Sequence, residues 1–141
     1  MNASAVVVAI ALAVPSFARH GGVEAATYRA KLMHYACMDA GVSRCSVVWS
    51  IAMHESGYRL RNASAPLAGC RPYSIDDWQQ ATCAARAWRI ATSRCGSEGA
   101  AVARYRSGEC RVARRGRRAS SVRSYVSSVL RLASRIERAG M

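Results

Sequence analysis

Apolar positions recur along this chain at the three- to four-residue spacing of helices, with hardly any of the alternation that marks strands. Residues 23–40 are rich in Ala, Leu, Met and Tyr, and Gly41 stands where a helix C-cap is expected. Ser43 is expected to cap a second helix over 44–56, in which Val47, Val48, Ile51 and Ala52 mark a buried face and Gly57 is the stop. Residues 58–73 hold Pro66, Gly69 and Pro72 and read as loop. Ser74 followed by Asp77 resembles a capping box opening a third helix over 75–94, ended by Gly96. A short Ala-rich fourth helix over 97–107 ends at Gly108, and the arginine-rich stretch 111–118 reads as an exposed basic linker. A fifth helix starts near Ser120. Its stripe of Val122, Tyr125, Val126, Val129 and Leu130 continues through Ala133 and Ile136, with Arg123, Arg131, Arg135 and Arg138 on other faces. The expected fold class is all-α: one small domain of about five helices, without internal repeats.

The first eighteen residues change the picture. Residues 1–18 carry no charged side chain, 6–14 are unbroken Val, Ala, Ile and Leu, and Pro15 precedes the small-x-small triplet Ser16-Phe17-Ala18. That pattern predicts a signal peptide over 1–18, too short to span a bilayer comfortably, although no Lys or Arg opens it. The remaining residues, 19–141, form the expected domain, and the expected location is secreted or periplasmic. All six cysteines fall in that domain. An even count after a signal peptide predicts three disulfides, and the spacing suggests Cys37–Cys45, Cys70–Cys83 and Cys95–Cys110, other connectivities remaining open. No CxxC or CxxH pair begins a metal site, so neither metal nor cofactor is expected.

The 141-residue chain carries a net charge of +13, with one Lys among its cations and the rest Arg. Such a field attracts polyanions, and export favours anionic lipid or cell-envelope polymers over nucleic acid, which is not expected as a partner. A solvated surface with a compositional bias is the plainer alternative. The protein is expected to be a monomer.

The stretch Ile51-Ala52-Met53-His54-Glu55-Ser56-Gly57-Tyr58 carries the candidate chemistry. Glu55 ends an apolar helix, where partial desolvation raises a carboxyl pKa and suits it to general acid catalysis. The plain reading puts Glu55 in water at a helix C-terminus, a place that favours cations instead. His54 precedes Glu55, but no second His follows at the HExxH spacing. His34 lies one turn before Cys37, a cysteine expected to be bridged and hence no nucleophile.

Glu55-Ser56-Gly57-Tyr58, with Ser64 nine residues after Glu55, resembles the E-S-x-[FY]-x-x-x-A-x-S signature of lytic transglycosylases and goose-type lysozymes. Ala103-Arg104-Tyr105-Arg106-Ser107-Gly108 resembles the same family's A-x-Y-N-x-G motif, and Tyr125-Val126-Ser127-Ser128-Val129-Leu130 its closing Y-V-x-x-V-L helix. Order and spacing agree across residues 25–135. The departures are Asn62 in place of Ala, Arg106 in place of Asn, and the lack of the G-x-x-G-L-M-Q segment between the Glu and the next helix.

The resemblance implies a lysozyme-like helical fold and cleavage of the MurNAc–GlcNAc β-1,4 bond of peptidoglycan glycan strands. Glu55 would be the single catalytic acid and base, and Ser56 and Tyr105 would bind substrate. Ser56 reads equally as a helix-end cap, and Tyr105 as core. A second carboxylate could come from Asp76 or Asp77, which as first-turn residues rather support a helix dipole. Of Trp49, Trp78 and Trp88, the first and last fit helix core better than sugar stacking. The alternative function is a non-catalytic cationic protein that binds peptidoglycan or another anionic surface of the cell envelope.

Overall fold

A computed structural model describes residues 22–56, 77–112 and 115–140. Among the described residues there are five α-helices and no strand: α1 Gly22–Ala40, α2 Cys45–Ser56, α3 Asp77–Cys95, α4 Glu98–Ser107 and α5 Arg117–Gly140. The all-α expectation holds, with element boundaries close to those the sequence pattern implies. The proposed signal peptide, 1–18, lies outside the described residues.

Helix α2 is the hub. Its consecutive residues from Ser46 to Ala52 are all buried, so the helix is enclosed on every side and not merely along the one face that its apolar spacing suggested. Helix α2 lies chiefly along α5, α1 lies along α3, and α4 bridges α3 to α5. The core is made of small and large pieces fitted together: Ala30, Ala36, Ala81, Ala84 and Ala85 let α1 and α3 approach, while Met33, Trp49, Ile51, Trp88 and Ile136 fill the volume. Trp49 and Trp88 are therefore core residues, as their helical positions suggested.

Two polar residues of α2 reach its neighbour without leaving buried groups unpaired. Ser50 Oγ donates to the Val129 carbonyl (2.6 Å), and Ser46 Oγ donates to Glu137 Oε1 (2.5 Å), so both hydroxyls tie α2 to α5.

The ends of the helices follow local chemistry. Gly41 adopts φ 72°, and the paired bonds Val42 N–H to Cys37 O (2.9 Å) and Gly41 N–H to Met38 O (3.2 Å) close α1 in a Schellman motif. Ser97 caps α4 by accepting from Ala100 N–H, and Gly108, at φ 83°, closes it. Two starts differ from expectation. Helix α2 begins at Cys45, with the Arg44 carbonyl accepting from Val47 N–H (3.2 Å); Ser43 lies a residue too early, because Arg44 is held by acids from other helices. Helix α5 begins at Arg117 and not near Ser120, so part of the supposed basic linker is its first turn. Ala119 is buried and anchors that turn, and Ser120 N–H bonds the carbonyl of Gly116 (3.1 Å).

Disulfides Cys37–Cys45 and Cys95–Cys110 have formed in the expected pairing. Cys83 is also disulfide-bonded. The third expected pair, Cys70–Cys83, involves Cys70, which lies outside the described residues. No described helix is long and apolar enough to cross a membrane, and disulfides are compatible with an extracellular or periplasmic protein.

Candidate functional site

Glu55 and Ser56 form the last two positions of α2, one turn beyond the buried Ile51 and Ala52. Their side chains lie outside the described residues, as do Asn62, Ser64, Cys70 and Asp76 in the segment that follows. The neighbouring side chain, His54, is described and exposed. Its Nδ1 lies 2.8 Å from the Ser50 carbonyl oxygen, which can only accept, so Nδ1 carries the proton and Nε2 is left as an acceptor in the neutral ring.

From His54 a chain of ring contacts crosses the bundle. The imidazole meets Tyr125 of α5 edge to face, with centroids 5.9 Å apart and planes at 76°. Over the Tyr125 ring lies the guanidinium of Arg106 from α4, 5.5 Å from the centroid. Arg106 is exposed and sits in the last turn of its helix, where a cation is favoured by the dipole. The segments that contain Glu55, Arg106 and Tyr125 are thus brought to one end of the bundle from three different helices.

Tyr105, the residue beside Arg106, turns elsewhere. Its hydroxyl donates to the Ala84 carbonyl of α3 (3.0 Å), and its half-buried ring leans on Trp88 with centroids 5.9 Å apart. Between α3 and α4 it also lines a hollow of about 360 Å³ with Ile90, Arg94 and Arg104. Its place therefore combines packing with access to a surface hollow. Asp77 opens α3 as its first-turn acid, the helix-supporting role expected of it. Trp78 is 41% exposed on the same helix and, with Arg86 and Ile90, lines a shallow hollow of about 600 Å³. Of the three tryptophans it is the one available to stack on a sugar face.

One group escaped the reading of the sequence. Gln80 is fully buried, and among the described residues neither its amide nitrogen nor its amide oxygen has a hydrogen-bond partner. It lies one turn before Ala84, the residue whose carbonyl receives Tyr105. A buried amide without a partner costs about 1–3 kcal/mol. Nothing in the pair Gln79-Gln80 separates it from an ordinary surface glutamine.

The opposite end of α2 is built from charge. Arg44 donates from Nε to Glu137 and from a terminal nitrogen to Glu98, and it reaches Ser134 Oγ (3.4 Å). The Glu137 hydrogen bond, outweighing partial burial and joined by the charge of Glu98, raises the Arg44 pKa above its ordinary value. Burial pushes the Glu137 carboxyl up, but the hydrogen bonds from Arg44 and Ser46 and the charge of Arg44 outweigh it and hold it below the ordinary carboxylate value. Clefts of about 280 and 350 Å³ flank this network. His34 lines the second, but its neighbour Cys37 is bridged to Cys45, so no Cys/His nucleophile exists there.

Among the described residues no group of three His, Cys, Asp or Glu side chains is placed to hold a metal ion. No family model, curated protein or solved structure matches the chain.

Proposed function

We propose that this chain cleaves the β-1,4 bond between MurNAc and GlcNAc in peptidoglycan, in the manner of the lytic transglycosylases its motifs resemble, with Glu55 as the only catalytic carboxyl. The reading is supported by one spatial fact: the three motif-bearing segments, distant in sequence, meet where the enclosed helix α2 ends, through the contacts His54–Tyr125–Arg106. The reading requires Glu55 to be partly desolvated there, because desolvation favours the protonated form that a general acid needs.

In this reaction Glu55 gives its proton to the glycosidic oxygen as the C1–O4 bond breaks. The same carboxylate then accepts the proton of the MurNAc 6-hydroxyl as O6 bonds to C1, leaving a 1,6-anhydro sugar. The substrate supplies its own nucleophile, so neither a second carboxylate nor water is consumed. Ser56 and Tyr105 would contact the glycan, and the exposed Trp78 on α3 offers a further stacking surface.

The test is mass spectrometry of fragments released from purified peptidoglycan by the oxidised protein and its Glu55→Gln variant. Anhydro-muropeptides should appear with the wild type and fall roughly 10²- to 10⁴-fold in the variant. Reducing-end fragments would assign a lysozyme reaction to the same Glu. Absence of any fragment from the wild type would remove the catalytic reading.

A second reading is favoured by the +13 net charge: a non-catalytic protein that binds anionic components of the cell envelope. It requires nothing of Glu55, so binding by Glu55→Gln equal to wild type, with no fragments from either, would establish it.

A further inference from the structure

We infer that the outer face of α5 is a docking surface for an anionic lipid bilayer. The inference rests on the envelope-binding reading, for which it names the face and the partner, and it is independent of Glu55.

The observation is compositional and spatial together. Every exposed side chain described along α5 belongs to Arg or Ser. The helix contains one acid, Glu137, and that carboxylate is turned inward onto Arg44 and Ser46. Arg117, Arg123, Arg131, Arg135 and Arg138 fall within about a third of the helix circumference at 3.6 residues per turn. They extend over about 30 Å at ~1.5 Å per residue. The opposite face, Val122, Val129, Leu132, Ala133 and Ile136, is consumed by the core.

These facts select the partner. A straight row of cations on one side of a helix touches a plane along its whole length, whereas a curved or grooved polyanion meets only part of it. Among the described residues no apolar side chain of α5 is fully exposed, Tyr125, Val126 and Leu130 being partly buried, so attachment is chiefly by headgroup phosphates, with the interspersed serines as hydrogen-bond donors. No exposed aromatic lies along the row, which removes the base-stacking platform that single-stranded nucleic acid sites use. The disulfides belong to an oxidising compartment, where bilayer surfaces and not nucleic acids are the abundant anions.

The inference is tested by co-sedimentation of the full oxidised chain with phosphatidylcholine vesicles and with vesicles one third phosphatidylglycerol. Two variants are compared. In the first, Arg117, Arg123, Arg131, Arg135 and Arg138 of α5 become Gln. In the second, an equal charge is removed from other exposed positions: Arg86→Gln, Arg89→Gln, Arg94→Gln, Arg111→Gln and Arg115→Gln. Circular dichroism and thermal melts verify that both fold.

Wild type should prefer the anionic vesicles, and that preference should disappear as ionic strength rises. The α5 variant should lose roughly 10³-fold in partition, while the charge-matched variant loses far less. Equal losses in the two variants would make net charge the cause and overturn the assignment to α5. Binding of wild type to isolated cell wall but to neither vesicle type would overturn the lipid partner while leaving envelope binding in place. Tighter binding to double-stranded DNA than to anionic vesicles would overturn both.

Discussion

At its N-terminal end α2 is bolted into the bundle: a disulfide joins Cys45 to α1, and Arg44 is held by acids from α4 and α5. At its C-terminal end the same helix meets α5 through an aromatic contact, His54 against Tyr125, and Arg106 of α4 lies above that ring. Each end thus gathers an arginine with residues from α4 and α5, yet one arginine faces two carboxylates and the other faces a π-cloud. A guanidinium between carboxylates has its charge answered and serves the fold. A guanidinium laid on a tyrosine keeps its charge available, at an exposed position above the ring that His54 also meets. The contrast teaches that location in the bundle does not decide between scaffold and site; the partner of the charge does.

Ways to break this contrast run from large effects to small ones. Replacing Cys37 and Cys45 together with Ser should lower stability by about 2–3 kcal/mol, read by urea denaturation, because the closed loop is short. Arg44→Gln should cost about 1–2 kcal/mol, a figure reduced for partial solvent screening, since it leaves Glu137 and Glu98 without their cation. The same network sets an acid dependence. Glu137 has a lower pKa folded than unfolded, so its contribution is complete above the ordinary carboxylate value and is lost as pH falls below about 4.5. Wild type should lose stability through that window, and Arg44→Gln should show a shallower slope in melts recorded against pH. Gln80→Met removes an unpaired buried amide and should raise stability by about 1 kcal/mol. Arg106→Gln should lower stability by only about 0.5–1 kcal/mol, the worth of an exposed cation–π contact, while slowing glycan release roughly tenfold.

Much of the scaffold could be read from the chain. Helix ends were legible wherever glycine supplied a left-handed residue, as at Gly41 and Gly108, and tryptophans at helical core spacing were indeed core. What depends on distant partners was not. Ser43 is the better local cap, but Arg44 is fixed by residues 54 and 93 positions away, pairings that leave no trace in neighbouring residues. Arg117 and Arg118 looked like linker because they are charged, and only the burial of Ala119 draws them into α5. The candidate site was half legible. Tyr105 and Arg106 stood out as a motif, but the helical turn between them sends one to α3 and the other to Tyr125, a divergence that motif matching does not carry.

The central claim, that the C-terminal end of α2 is the working end and the N-terminal end the structural one, is tested most directly by one paired measurement. Release of anhydro-muropeptides is recorded for Glu55→Gln and Arg44→Gln at a temperature well below both melting midpoints. Glu55→Gln should melt no lower than wild type yet release roughly 10²-fold less product or worse, while Arg44→Gln should melt lower and release product at close to the wild-type rate. Release by Glu55→Gln at the wild-type rate, or loss of release in Arg44→Gln while it remains folded, would contradict the claim.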